Sequence, residues 1–336
     1  MKIAFFELEE WEELIIRQAL PEHELVLKRE HFNENNPPAA ETADAEIIST
    51  FVDSQVNSET LKNFSNLKLV TTRSTGYDHL DLTAIKAKGA QAAFVPGYGD
   101  NTVAEFAFSL ILNLSRKTYQ AIDRIKETGR FSFEGFRGFD LKGKTIGVIG
   151  TGRIGREAVK IAKGFGMEVL AFDLKPDLAF AQEQGIGYVS LEELLKNSDV
   201  ITLHLPYLPN THHLINKDNI QFIKKGAILV NTARGGLVET EALVAALDQG
   251  ILAGAGLDVL EEEGEVKDEM SFLAKNKAME ADLKTTLFNH ILMRRPNVLI
   301  TPHTAFNTQE ALGRILNTTL ENIKGFVAGQ PKNLIQ

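Results

Sequence analysis

The stretch Thr145 to Asp173, TIGVIGTGRIGREAVKIAKGFGMEVLAFD, runs from an apolar segment through a glycine-rich turn into a helical pattern, then out into a second apolar segment. Gly150, Gly152 and Gly155 stand in G-x-G-x-x-G spacing, directly after the first segment and at the start of the helical pattern. Each glycine has its own reason. The first permits a tight turn, the second lets backbone amides approach a pyrophosphate, and the third lets helix close on strand. The spacing alone is a weak signal, and its strand–turn–helix context strengthens it. Asp173 closes the second segment, 18 residues past Gly155, where a carboxylate accepts hydrogen bonds from a ribose diol. That carboxylate repels a 2′-phosphate, and the LKPD that follows brings Lys175 but no arginine. NAD is therefore expected rather than NADP.

The pattern continues on both sides of this stretch. Downstream come VITLHLP, AILVNTA, AGAGLDV and NVLITPH, so six strand-like segments with helices between them predict a complete doubly wound sheet. Upstream, KIAFF, AEIIST and LKLVTT alternate with helical patterns, which predicts a second α/β domain of parallel strands. A long amphipathic helix from Thr308 to about Gly329 follows His303 and has to return to the first domain. The expected fold class is α/β with two doubly wound domains. Residues 1–99 and 302–336 form a discontinuous outer domain, and 100–301 form the inserted dinucleotide-binding domain. VAEFAFSLILNL, Val103 to Leu114, is apolar on nearly every side and so must be buried on more than one face. Core packing and a subunit interface both satisfy that requirement, and a homodimer through this region is expected.

Composition excludes several classes of function. Lys and Arg number 36 against 45 Asp and Glu, a net charge of −9. Binding to nucleic acid or to an anionic membrane needs a basic footprint that this chain lacks. A small acidic substrate would then need a local positive charge. No cysteine is present, so disulfides, thiolate metal sites and thiol catalysis are out. Met1 to Phe6 lead straight into WEELI without a basic and apolar leader, and no run of about 20 apolar residues exists to span a bilayer. A cytoplasmic protein is expected. No metal site is expected either, and His204, His212 and His213 are read as structural.

In doubly wound sheets, ligands sit outside the carboxyl ends of the strands. Those ends carry Gly150, Asp173, His204-Leu205-Pro206, Thr232-Ala233-Arg234, Asp258 and Thr301-Pro302-His303. An arginine, a carboxylate and a histidine thus converge. Transfer of a hydride to a keto group needs a group to hold and polarise the substrate, which a permanently charged planar guanidinium can be. It also needs a proton for the developing alkoxide, which a histidine kept charged by a neighbouring carboxylate can supply near neutral pH.

The segments GVIGTGRIG, SDVITLHLPYLPNTHHLIN, GAILVNTARGGLVE, AGLDVLEEE and NVLITPHTAF together resemble the NAD-dependent D-isomer-specific 2-hydroxyacid dehydrogenases over essentially the whole chain. The resemblance implies a Rossmann domain inserted into a flavodoxin-like substrate domain, with Arg234, Glu263 and His303 as catalytic residues. Glu263 is chosen because it lies five residues after Asp258. Cofactor contacts are expected at Gly150, Gly152, Arg153, Ile154, Gly155, Asp173, Leu205, Pro206, Thr211, Thr232, Ala233 and Asp258. Substrate contacts are expected at Arg234, at the amides of Thr75 and Gly76, and at Tyr98 and Phe306. Tyr98 and Phe306 resemble the D-lactate dehydrogenase branch, which implies reduction of pyruvate to D-lactate. Reductases of glyoxylate, hydroxypyruvate or branched 2-keto acids stay open, as does an NADH-sensing corepressor that binds protein partners. The segment between Glu263 and His303 is longer than in a minimal member of the family.

Overall fold

The structure, a computed structural model, describes residues 1–261 and 280–335. The chain divides into two compact units, Met1–Tyr98 with Thr308–Gln336, and Gly99–Asn307.

In the first unit, β1 (Lys2–Phe5), β2 (Glu24–Leu27), β3 (Ile47–Thr50), β4 (Leu69–Thr72) and β5 (Gln91–Ala93) form one parallel sheet in the order β2-β1-β3-β4-β5. Side chains alternate between its faces. Ala4, Ile48 and Val70 meet Phe32 and Phe64 on one side, while Ile3, Ile47 and Leu69 meet Ile16, Leu316, Leu320 and Ile323 on the other. Covered on both faces, β3 and β4 are buried along their whole length, their Ser and Thr included. The helix Gln309–Val327 supplies the second cover, and the Thr308 side chain caps it by accepting the Ala311 amide at 3.2 Å. Strands β2 and β5 were not expected, being short and at the two edges.

The second unit has β6 (Thr145–Ile149), β7 (Glu168–Phe172), β8 (Gly187–Tyr188), β9 (Val200–Leu203), β10 (Ala227–Asn231), β11 (Leu252–Leu257) and β12 (Val298–Ile300). They are parallel, in the order β12-β11-β10-β9-β6-β7-β8. Chain order reverses at β6 and β9, which is where this architecture binds dinucleotides. The two-residue edge strand β8 is an addition to the six expected, too short to give a periodic signal.

The helix Asp100–Arg116 packs into the core of the second unit. Its Ala104, Ala107, Phe108, Leu110, Ile111 and Leu114 pack against Ile146, Val148, Ile228 and Val230 inside the second unit. The buried side of Val103 to Leu114 is therefore core, one of the two roles its apolar pattern allows. The exposed apolar surface lies just after it. The helix Thr118–Thr128 buries none of its residues, with Tyr119, Ile122 and Ile125 exposed, and Phe131 and Phe133 are 92% and 93% exposed.

The second passage between units also falls later than expected, at Asn307–Thr308, so His303 and Phe306 belong with the larger sheet. Asp258 explains this. Its carboxylate accepts the amides of Thr304 at 2.9 Å and Ala305 at 2.8 Å, tying the chain after β12 to the end of β11.

Candidate active site

Gly150 leaves β6 with φ +94°, and a Cβ there would lie 2.7 Å from the His204 carbonyl oxygen. A Cβ on Gly155 would lie 1.9 Å from the Gly150 carbonyl oxygen. Both positions exclude any larger residue while the turn keeps this shape. Gly152 differs, because a Cβ there meets nothing within 4 Å and its backbone faces open space. It caps the helix Arg153–Gly164 without a side-chain hydrogen bond, which leaves the first-turn amides for another acceptor.

Asp173, one residue past β7, is anchored to this turn. Its Oδ2 accepts the Thr151 amide at 2.7 Å and the Thr151 hydroxyl at 3.1 Å, and its Oδ1 accepts the Lys175 amide at 2.9 Å. Arg153 is exposed and reaches Asp100 Oδ2 at 2.8 Å, with Ile154 half-buried beside it.

Beyond β9, His204 is buried, with Nε2 3.0 Å from the Thr202 hydroxyl. Burial pulls it down from 6.5 to about 4, so it is neutral at physiological pH. Leu205 is buried and Pro206 exposed. The Thr211 hydroxyl donates to the Pro206 carbonyl at 2.8 Å and accepts the Leu208 amide at 2.8 Å, which shapes the loop around them. Two buried polar atoms at adjacent strand ends, His204 Nδ1 and the Thr232 hydroxyl, have no hydrogen-bond partner among the described residues. Such atoms are costly unless something satisfies them.

At the end of β10, Asn231 builds the turn that carries Arg234. Its Oδ1 accepts the Ala233 amide at 3.0 Å, and its Nδ2 donates to the Arg234 carbonyl at 2.8 Å. Arg234 is half-buried, and its guanidinium donates to the Ala233 carbonyl at 2.8 Å.

Asp258, 1% exposed, follows β11 and organises the third turn. Besides Thr304 and Ala305 it accepts the Thr301 hydroxyl at 2.5 Å, and its own carbonyl accepts the His303 amide at 2.9 Å. Burial pushes the Asp258 carboxyl up, while the Thr301 hydroxyl, the Ala305 and Thr304 amides and the charge of His303 pull it back. His303 sits at φ +53°, a left-handed conformation that a non-glycine residue holds only when its surroundings impose it. Asp258 supplies much of that constraint through bonds on both sides of the histidine.

In the first unit, β4 runs into Arg73-Ser74-Thr75-Gly76. The Thr75 hydroxyl donates to the Val95 carbonyl at 2.7 Å, and among the described residues no acceptor takes the Thr75 or Gly76 amide. Tyr98 accepts Arg314 Nε at its carbonyl, at 2.6 Å. Phe306 is half-buried in the second unit. Glu263 lies outside the described residues, as do Met270, Phe272, Leu273 and Met279.

Sequence reasoning passed over Asn231 and Glu261 and gave His213 a structural role only. Glu261 adjoins Glu262 and Glu263 in sequence, yet its Oε1 lies 2.5 Å from His213 Nε2 and its side chain is 14% exposed. A strand-final asparagine followed by a turn was a usable signal for Asn231. The partner of Glu261 is 48 residues away, and no local signal announces it.

The residues present fit NAD. The open backbone at Gly152, the uncapped helix start, the anchored Asp173 and the two orphan polar atoms at β9 and β10 suit pyrophosphate, ribose and amide groups in turn. Together with the strand-end arginine, carboxylate and histidine, they define an NAD-dependent oxidoreductase.

The chain belongs to the D-isomer specific 2-hydroxyacid dehydrogenase family, whose NAD binding domain matches residues 108–305. It is 38% identical over 307 residues to the 2-hydroxyacid dehydrogenase homolog 2 of Schizosaccharomyces pombe, covering 90% of this chain and 89% of that one. It is 34% identical to the D-lactate dehydrogenase of Escherichia coli over the full length of both. The structure of the D-lactate dehydrogenase of Aquifex aeolicus, complexed with NAD and lactic acid, matches with a TM-score of 0.83 and 37% identity over 98% of this chain and 96% of that one. Among the described residues no helix is long and apolar enough to cross a membrane, and no group of three or more metal-ligating side chains is present.

Proposed function

We propose that the protein reduces a 2-keto acid, pyruvate foremost, to the D-2-hydroxy acid. Bound NADH would supply the hydride for the new C–H bond. Arg234 grips the keto acid and polarises its carbonyl through charge-assisted hydrogen bonds. As negative charge gathers on the keto oxygen, an imidazole N–H of His303 gives that oxygen its proton, and solvent restores it. Glu263, assigned from the family resemblance, keeps His303 protonated. The family resemblance assigns the substrate carboxylate to the amides of Thr75 and Gly76, and further substrate contacts to Tyr98 and Phe306. Asp258 acts by fixing the His303 turn. Leu205, Pro206, Thr211, Thr232, Ala233, Arg153 and Ile154 line the cofactor with the glycines and Asp173.

The observation that supports this reading most is the strained His303 turn, held on both sides by buried Asp258 at the strand end next to that of Arg234. Family members named for D-lactate support pyruvate as first choice. NADH oxidation with a panel of 2-keto acids, followed by chiral analysis of the product, tests it. The expected result is highest kcat/KM with pyruvate and a D product. No turnover with any 2-keto acid overturns the reading, and an L product overturns its stereochemistry.

The protein is further proposed to be a homodimer, through the exposed Tyr119, Ile122, Ile125, Phe131 and Phe133. Five large exposed apolar side chains within 15 residues of chain suit an interaction face. Sedimentation equilibrium should give twice the chain mass, and Phe131→Ser with Phe133→Ser should shift it toward one. A monomeric wild type refutes the proposal.

A further inference from the structure

The turn Arg234-Gly235-Gly236 is enclosed on two sides. On one, a Cβ at Gly235 would lie 2.0 Å from the carbonyl carbon of Leu260 and 2.3 Å from the Glu261 nitrogen, so the chain after β11 lies directly on the residue that follows Arg234. On the other, the His213 amide donates to the Gly236 carbonyl at 2.8 Å, and a Cβ at Gly236 would lie 2.7 Å from the Tyr207 ring. Two glycines follow the arginine because two other segments press on that backbone.

Those segments are joined to each other. His213 Nε2 lies 2.5 Å from Glu261 Oε1. The other oxygen of Glu261 accepts the Thr240 hydroxyl at 2.7 Å and the Thr240 amide at 3.2 Å, where the next helix begins, and Asn289 donates to the Glu261 carbonyl at 2.8 Å. His213 is braced in turn. It holds φ +49°, its ring stacks on His212 at 3.8 Å, and His212 Nδ1 lies 2.9 Å from the Tyr207 hydroxyl. The contacts form a closed ring: His213 to Gly236, Gly235 to Leu260, and Glu261 back to His213.

We infer that His213 and Glu261 are positioning residues that clasp the Arg234 turn and so set where its guanidinium stands. The inference rests on the role proposed above for Arg234. Asn231 holds the turn from the strand side, and the clasp holds its other two flanks. A side chain at φ +49° and a carboxylate with three hydrogen-bonding partners in fixed directions are what over-determined geometry looks like. Without the His213–Glu261 link, neither flanking segment keeps the other in register, and a displacement near 1 Å at a substrate-gripping group lowers rates by about 10²-fold.

The test uses the whole enzyme with pyruvate and NADH. His213→Ala and Glu261→Gln should each lower kcat/KM about 10- to 100-fold, raising KM and lowering kcat together. His213→Gln, which keeps a donor near Nε2, should recover part of the loss. NADH dissociation constants, read by fluorescence quenching, should stay within about twofold, because the turn at Gly150–Gly155 does not depend on the clasp. The double variant should be no worse than either single one. In an Arg234→Lys background, Glu261→Gln should bring no further loss, whereas a general structural defect would multiply with it.

Wild-type kcat/KM in both single variants overturns the inference, as do losses that multiply with Arg234→Lys or that follow NADH affinity. If His213→Ala does not fold, His213→Gln and Glu261→Gln decide by the same criteria. A wild type that turns over no 2-keto acid refutes the reductase reading and the clasp with it, whereas an active wild type with unaffected variants refutes the clasp alone.

Discussion

Arg73 and Arg234 each follow a fully buried parallel strand, β4 in one unit and β10 in the other. Their surroundings differ entirely. Arg73 is 2% exposed, and its guanidinium donates to the Phe6 carbonyl at 2.8 Å, the Glu7 carbonyl at 2.7 Å and the Ser49 hydroxyl at 3.3 Å. Glu12 Oε1, also buried, lies 3.6 Å from its Nε. Burial pulls the Arg73 guanidinium down and pushes the Glu12 carboxyl up, each opposed by the charge of the other. Arg73 joins the ends of β1, β3 and β4 and is a structural tie. Arg234 is half-buried on a turn built by other residues. A charge at the end of an apolar strand is therefore no mark of function by itself. What separates the two is how far the interior surrounds the charge.

The largest expected effect tests the structural side. Arg73→Met should cost about 3–5 kcal/mol of stability, because it leaves Glu12 buried without its partner. Urea unfolding measures this, and adding Glu12→Leu should restore much of it. A loss under about 1 kcal/mol, with activity falling in a folded protein, would erase the distinction drawn here.

Arg234→Gln tests the other side. Its kcat/KM should fall about 10²- to 10³-fold, equivalent to about 2.7–4 kcal/mol of transition-state stabilisation. Its urea midpoint should move by no more than about 0.5 kcal/mol in stability, as for a surface change. A variant that unfolds like Arg73→Met would place Arg234 among the structural ties.

A third strand-end group, His204, sharpens the comparison because the interior keeps it neutral. Its folded pKa of about 4 lies below the unfolded 6.5, so between these values the unfolded chain binds more protons. The contribution to stability is fully present above pH 6.5 and is lost as pH falls through about 4. It amounts to on the order of 3 kcal/mol at most. Asp258, raised by burial, acts oppositely as pH rises from 3.8 through its folded value. The difference between wild type and His204→Gln isolates the histidine. Urea titrations between pH 7 and 4 should show a flatter slope in the variant, and identical slopes would contradict the assignment.

Much of the site could be read along the chain because its parts are local. The Gly150–Gly155 turn and Asp173 carry their reasons in spacing, since a strand, a turn and a helix are contiguous and Gly155 closes on the Gly150 carbonyl, although the crowding at Gly150 itself comes from distant His204. The strand ends could be read because burial on both faces makes each strand a continuous apolar run with a sharp end. Short edge strands could not: β2, β5 and β8 are too brief for a period, and their pairing comes from a distant strand. The apolar helix Val103 to Leu114 showed that it must be buried, but not against what.

By itself, the sequence determined the α/β class, the dinucleotide turn and which chemical groups stand at the strand ends, because these follow from periodicity and near-neighbour sterics. Only the tertiary structure decided that Arg73 is a buried tie, that Asp258 holds His303 in a left-handed turn, and that His213 closes on Glu261 across 48 residues. Those facts depend on which distant segments share the same space. A charge reads the same in sequence whether the interior saturates it or a turn presents it, and only packing distinguishes the two.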